Sequence, residues 1–138
     1  MYFPSTGKFT IGGNPTLTKN LFSTGTQRYL PMVGVANVSA SDANTQYYAV
    51  AAMKASGLAV VVIANASTTD ATLTLCKNGV ATSIVVTIPA GQTGLFVSTG
   101  DEVELDQGDY ITCRSEGATS ASPTGYMPTT TLEFVPNV

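Results

Sequence analysis

Five of the chain's nine acids fall in one short stretch: Asp101, Glu102, Glu104, Asp106 and Asp109. Paired carboxylates can perform acid–base chemistry on a glycosidic bond. Clustered carboxylates can also hold a hard cation such as Ca²⁺ through oxygen ligands. The spacing speaks against both. In a strand, alternate side chains share a face about 7 Å apart. Glu102, Glu104 and Asp106 therefore form a line on one face and do not converge on a point. Asp101 and Asp109, at the strand ends, are the two that could approach each other. The expectation is a solvated or subunit-facing acidic edge with no bound metal, and such charges also discourage edge-to-edge pairing.

Four tyrosines form the second candidate group. Tyr47, Tyr48, Tyr110 and Tyr126 could together make a sugar-stacking platform. Tyr126 lies in a Gly-, Ser- and Thr-rich loop over Ser115–Pro128, where binding residues tend to sit. Tyr47 and Tyr48 are adjacent, so a strand would turn one inward and one outward. With no Trp in the chain, packing is the preferred role for most of these rings. Gly12-Gly13 opens no helix and reads as a turn, not a phosphate-binding loop.

Cys76 and Cys113 each end a predicted strand and each precedes a basic residue, Lys77 and Arg114. Two cysteines without histidine cannot build a structural zinc site. A disulfide is open to them if their strands are neighbours, whereas cytosolic synthesis favours free thiols. The chain has no His at all. A nucleophilic thiol or hydroxyl thus lacks its usual base, and neither catalysis nor a cofactor is expected.

The elements that must position these residues are β-strands. Thr72–Cys113 reads as a succession of strands and tight turns. Asn78-Gly79 between two β-rich runs is the strongest hairpin signal, because a type I′ turn needs positive φ at both central residues. Pro89-Ala90-Gly91 and Gly108-Asp109 mark further turns. Ala71–Cys76 and Val80–Ile88 are the two arms of the hairpin. Glu102–Asp106 places Val103 and Leu105 inward, and Asp109–Arg114 follows after Gln107-Gly108. Upstream, Tyr29–Val38 is a strand or lead-in bent at Pro31, and Ser39–Thr45 is a connection. Gln46–Lys54 reads as a strand that breaks at Ser56-Gly57. Leu58–Ala64, nearly all apolar, reads as a strand buried on both faces. Leu95–Val97 is short, and Thr129–Val135 closes the domain. Asn65–Asp70 is a turn cluster containing an Asn-Ala-Ser glycosylation triplet, which matters only in a secreted eukaryotic protein. About eight short strands with frequent turns predict an all-β domain, a compact jelly-roll β-sandwich.

Composition narrows the function further. At 138 residues one domain with a proper core is expected. Only 11% of residues are charged and the net charge is −3. The six Lys and Arg are scattered, which argues against nucleic acid and against an anionic membrane surface. No apolar run is long enough to span a bilayer, and MYFPSTGKFTIGG lacks the layout of a secretory signal. A surface of hydroxyls, amides and small apolar groups is weakly repelled from its neighbours. It suits a protein packed among other subunits, or equally a small domain with a Thr-rich exterior.

Residues 1–27 differ from the rest. Their apolar residues Tyr2, Phe3, Phe9, Ile11, Leu17, Leu21 and Phe22 follow no period of 2 or 3.6. The segment is too aromatic for a solvated tail. It reads as an arm that docks on a neighbouring surface, the alternative being extra edge strands of the same domain, residues 28–138.

The block TLTLCKNGVATSIVVTIPAGQTG followed by GDEVELDQGDYITCRSEG resembles the compact jelly-roll domains of tailed-phage virion proteins, namely capsid decoration or cement proteins, head fibres and tail-fibre heads. Many of these are similar in outline to the trimeric tumour-necrosis-factor or complement-C1q jelly roll. The resemblance spans about Arg28–Val138. Asn78, Gly79, Gly108 and Asp109 match as turn positions only, and no catalytic residue is carried over. The resemblance implies a homotrimer on a virion surface, with the major capsid protein as partner through the arm. The alternative it leaves is a fibre head that binds a receptor or host-surface glycan through the loop holding Tyr126. The lack of a long upstream shaft favours the capsid expectation.

Overall fold

The computed structural model describes residues 8–12, 19–20, 27–30, 45–98, 101–117, 123–126 and 128–135. These form strands, turns and bends, and no helix. The strands in chain order are β1 (Lys8–Gly12), β2 (Lys19–Asn20), β3 (Arg28–Leu30), β4 (Tyr47–Tyr48), β5 (Met53–Ala64), β6 (Ala71–Lys77), β7 (Val80–Ile88), β8 (Gly94–Val97), β9 (Glu102–Leu105), β10 (Tyr110–Glu116), β11 (Thr124–Gly125) and β12 (Thr129–Phe134). They make two antiparallel sheets, a β-sandwich. The larger holds β1, β12, β5, β11, β2, β8 and β9, and the smaller holds β3, β10, β6, β7 and β4.

β5 is the spine of the larger sheet. Its 12 residues are long enough to pair with two strands on each edge. Met53 faces Phe134 of β12 on one side and Leu105 of β9 on the other. Farther along, Val62 faces Gly125 of β11 and Gly94 of β8. The expected break at Ser56-Gly57 is therefore corrected: the strand runs straight through. It does so by a bulge. Thr130 pairs with Leu58 and Thr131 with Ser56, leaving Gly57 as the extra residue. Gly57 sits at φ +73°, a left-handed conformation that glycine takes without penalty. Side chains replace the lost ladder contacts. Thr130 Oγ1 donates to the Gly57 carbonyl at 2.6 Å, and Leu58 N–H donates to Ser98 Oγ at 2.8 Å.

The extra residue swaps the parity of the strand. Met53 and Ala55 face the core before it, and Leu58, Val60 and Val62 face the core after it. Leu58–Ala64 is consequently not buried on both faces, as its apolar run predicted. Val61 is 37% exposed and Ile63 49% exposed. An antiparallel sheet can leave one face to solvent, and this sheet does.

The expected strand Gln46–Lys54 is also corrected. Tyr47–Tyr48 pair with β10, residues 49–52 belong to no strand, and Met53 and Lys54 already belong to β5. Between β4 and β5 Ala49 is tied to a corner: its N–H donates to the Asp109 carbonyl and its own carbonyl accepts from Gly108 N–H.

The β6–β7 hairpin has φ 51° at Asn78 and 82° at Gly79, the positive pair of a type I′ turn. Its ladder is interrupted once, between Thr74 and Cys76. Thr82 Oγ1 fills the gap, donating to the Leu75 carbonyl at 2.6 Å and accepting from Ile84 N–H at 3.2 Å.

The core lies between the sheets. Leu58, Leu105 and Leu132 come from the larger, and Leu73, Ile84 and Ile111 from the smaller. Each fully buried side chain of this size contributes roughly 1.5–3 kcal/mol. Phe9 and Ile11, expected as arm contacts, are partly buried against this core, and the Phe9 ring lies 5.5 Å from that of Phe134. Residues 8–12 are thus an edge strand on β12, with Lys8 opposite Glu133 and Gly12 opposite Thr129. The physical reason is periodicity over a short span: residues 9 and 11 alternate with 8 and 10. Tyr2, Phe3, Leu17, Leu21 and Phe22 lie outside the described residues, as do residues 31–44 of the expected lead-in and connection.

A Cβ at residue 57 would have open space, with Ser98 Oγ at 4.0 Å as its nearest neighbour. Gly57→Val therefore tests backbone conformation alone. It is expected to cost about 1–3 kcal/mol in denaturant unfolding, with Gly57→Asn costing less because Asn tolerates positive φ. An unchanged midpoint for both would show that the bulge is not strained.

Candidate interaction surfaces

The five acids do not act together. Glu102 and Glu104 are exposed on β9, and Lys54 Nζ is 3.8 Å from Glu102. Asp109 belongs to a different structure, the corner between β9 and β10. Because those strands lie in opposite sheets, residues 106–109 carry the chain across the sandwich. Asp109 holds this corner. Its Oδ2 accepts Asp106 N–H at 2.8 Å, and its Oδ1 accepts Asn78 Nδ2 at 3.0 Å. Asn78 Oδ1 in turn accepts Tyr110 N–H at 3.0 Å, and Asn78 N–H donates to the Tyr110 carbonyl at 2.9 Å. Lys77 adds a contact of 3.5 Å to Asp109 and donates to the Glu104 carbonyl at 2.8 Å. Gly108, at φ +91°, makes the turn itself. Asn78, Gly79, Gly108 and Asp109, expected as separate turns, are thus brought together as one fastening. Sequence reasoning missed that they meet, since 31 positions separate Asn78 from Asp109. Among the described residues no group of three or more His, Cys, Asp or Glu is arranged to hold a metal ion.

The opposite end is fastened similarly. Asn65 Nδ2 donates to the carbonyls of Pro89 and Gln92, at 3.1 and 2.9 Å, and Asp70 Oδ1 accepts Ala90 N–H at 2.9 Å. These bonds tie the two crossings 65–70 and 89–93 to each other. Thr69 Oγ1 donates to the Gly117 carbonyl at 2.7 Å. The amide of the glycosylation triplet is committed to this internal role.

Of the four tyrosines, two meet. Tyr48 pairs with Tyr110 across strands, with ring centroids 5.5 Å apart and planes tilted by 53°. Tyr48 is 53% exposed and its hydroxyl donates to Gln46 Oε1 at 2.6 Å. Tyr47 turns inward and packs against the core. Tyr126 is elsewhere: it is half-buried beside β5, and its N–H donates to the Val61 carbonyl at 3.0 Å. No single platform of four rings exists.

Both cysteines are buried, and no disulfide joins them. The register explains why they do not pair. Cys113 lies opposite Leu75, and Cys76 opposite Thr112. Cys113 therefore faces the core with Leu75, while Cys76 projects from the other face of the same sheet. Burial, and the neighbouring Cys76, push the Cys113 thiol well above its ordinary pKa.

The outer faces of the two sheets differ. On the smaller sheet Thr74, Cys76 and Thr112 point away from the core by register, yet all three are buried. The outer face of the larger sheet is open, and the Gly57 bulge divides it. On one side of the bulge are Lys8, Lys54, Glu102, Glu104 and Glu133, charges of both signs in loose pairs. On the other side Val61 lies opposite Leu95 and Ala59 opposite Val97, with Ile63 next along β5. Leu95 is 66% exposed and Val97 57% exposed. These residues form an uncharged apolar half-face. The one signal for it in the sequence was the run Leu58–Ala64, read there as double burial.

Two measurements check this geometry. The hydrogen bond from Asn78, then that from Asp106 N–H, with Lys77 adding to them, holds the Asp109 carboxyl below its ordinary value. A depressed folded pKa stabilises above the unfolded value of about 3.9 and is lost as pH falls through the folded value. Stability in urea should therefore fall on acidification below about 3.9, and Asp109→Asn should flatten that fall. A variant as acid-sensitive as the parent would remove Asp109 from the account. The second measurement is thiol titration. Cys76 and Cys113 should be silent in the native protein and react only when it is denatured; one fast native thiol would place a cysteine at the surface.

No protein-family model matches this chain and no curated protein matches its sequence, so its own surfaces carry the functional reading.

Proposed function

We propose that this is a non-enzymatic structural protein that assembles with copies of itself, and specifically a homotrimeric decoration protein of a phage capsid. One observation carries the assembly reading: the apolar half-face of Val61, Ile63, Leu95 and Val97 on the larger sheet. Exposed apolar surface rimmed by polar groups is characteristic of protein contacts. The charged half beyond the bulge supplies such a rim, with both signs available to a second copy. The virion setting rests on the resemblance of the strand-and-turn pattern from Thr72 to Gly117.

Energy bounds the contact. Covering a half-exposed aliphatic side chain gains roughly 1 kcal/mol. Four of them only reach the lower end of the translational and rotational cost of association, about 4–15 kcal/mol. The interface must therefore extend beyond the patch, over the charged half or around a three-fold axis where each contact is made three times. Attachment to the major capsid protein is assigned to the segment holding Tyr2, Phe3, Leu17, Leu21 and Phe22. Phe9 and Ile11 are engaged in the sandwich and take no part.

A second reading, a receptor- or glycan-binding fibre head, is favoured by the exposed Tyr48 ring beside Tyr110, which offers a stacking face to a sugar.

Sedimentation velocity at micromolar concentration tests the proposal. The parent protein should sediment as a trimer, and Val61→Lys with Leu95→Lys as a monomer of unchanged circular dichroism. Both substitutions lie on the outer face, so the core is untouched. The trimer should co-sediment with undecorated capsids. A monomeric parent protein would remove self-association; retention on glycans without capsid binding, abolished by Tyr48→Ala, would give the second reading the lead.

A further inference from the structure

Asn78-Gly79 is the one Asn-Gly pair in the chain, and it stands exposed at a hairpin tip. Asn-Gly is the dipeptide most prone to spontaneous deamidation, because glycine leaves the following backbone nitrogen unshielded. We propose that Asn78 is a latent modification site, deamidation at which is held closed by its contacts with Asp109 and Tyr110 and which opens when the corner at 106–109 opens.

The chemistry is balanced by water alone. The backbone nitrogen of Gly79, having lost its proton, attacks Cγ of Asn78. The new C–N bond closes a succinimide ring while the bond from Cγ to Nδ2 breaks, and ammonia departs with the proton. Water then opens the ring at either carbonyl, giving aspartate or isoaspartate.

Ring closure needs Cγ to swing over the Gly79 nitrogen. In this structure both ends of the side-chain amide are pinned the other way, toward β10. Nδ2 donates to Asp109 Oδ1 and Oδ1 accepts Tyr110 N–H, each at 3.0 Å. The backbone is fixed as well, by Asn78 N–H to the Tyr110 carbonyl at 2.9 Å and by φ 51° in the left-handed region. Rotation of the amide therefore requires two hydrogen bonds to break together, one of them to a charged carboxylate.

The product would not refasten. Aspartate at 78 has no side-chain N–H to offer Asp109 and sets a second carboxylate against it. Isoaspartate adds a carbon to the backbone of a two-residue turn, which no longer fits type I′ geometry. Deamidation at Asn78 would thus convert a transient opening of the corner into a permanent one.

Peptide mapping by mass after prolonged incubation at mildly alkaline pH tests this, with aspartate and isoaspartate separated by chromatography. Native protein should deamidate at Asn78 at least about tenfold more slowly than the same chain in urea, the retardation expected when two net hydrogen bonds must first be broken. Asp109→Ala, shown folded by circular dichroism, should accelerate the reaction toward the rate in urea, and Asp109→Asn should fall between parent and alanine variant, because its single amide oxygen cannot accept from both Asn78 Nδ2 and Asp106 N–H. Asp109→Ser serves if the alanine variant does not fold, since it too leaves the contact unmade. Equal rates in native buffer and urea would overturn the proposal. So would a folded Asp109→Ala or Asp109→Ser variant as slow as the parent protein, which would show that the Asp109 contact does not hold the amide.

Discussion

One extra residue in β5 sets the register of the larger sheet. β12, β11, β9 and β8 all pair with β5, so each inherits its phase. Side chains in a strand alternate with a period of two, and a one-residue slip turns every following side chain to the other face. Without the bulge at Gly57, continuing the phase of Met53 and Ala55 would bring Val61 and Ile63 inward and send Leu58, Val60 and Val62 to solvent. With it, Leu58 and Val60 complete the core. The bulge also falls where the outer face changes character, from paired charges to bare aliphatics. The same backbone feature therefore closes the core and delimits the proposed contact surface.

The scarcity of charge has a structural counterpart. A sandwich whose chain crosses repeatedly between sheets leaves backbone N–H and C=O groups without ladder partners at each crossing. Here short side chains take them up. Asn65 and Asp70 bind the crossings 65–70 and 89–93, Asn78 and Asp109 bind the corner at 106–109, and Thr82, Ser98 and Thr130 fill the two bulged regions. Thr, Ser and Asn suit this work because their polar atoms lie close to the backbone and cost little side-chain entropy to fix. Many of the hydroxyls and amides that the composition assigned to the exterior are in fact engaged in joining one part of the chain to another.

Legibility followed locality. The Asn78-Gly79 hairpin was visible because everything that determines it lies within two residues. The inward alternation of Val103 and Leu105 was visible for the same reason, as was the all-β sandwich class. The features missed are those that need a partner strand to define them. Ser56-Gly57 looked like a break, since only the pairing of Thr130 and Thr131 reveals an inserted residue. Leu58–Ala64 looked doubly buried, since the sequence does not say that the outer face stays open. The two cysteines looked able to pair, since their opposite facing follows only from the register of β6 against β10. The acids looked like one group, since nothing local shows that Asp109 turns away to the hairpin while Glu102 stays with Lys54.

What the molecule leaves available to a partner follows from what it uses itself. Asp109, Asn78, Asn65 and Asp70, the side chains best suited to directional recognition, already hold bonds within the fold. The centre of the smaller sheet's outer face is buried. Among the described residues, the surfaces left over include the apolar half-face around Val61 and Leu95, the loosely paired charges beyond the bulge, and the ring of Tyr48. Apolar and aromatic surfaces bind by area and shape, with little orientational discrimination between small ligands. They gain strength by repetition, because a second and third contact within one assembly are made at high effective concentration. A chain that spends its polar groups on its own corners and presents a bare aliphatic half-face is better suited to joining many identical copies than to selecting one small molecule, and it is on this physical ground, more than on any single residue, that the assembly reading stands ahead of the glycan-binding one.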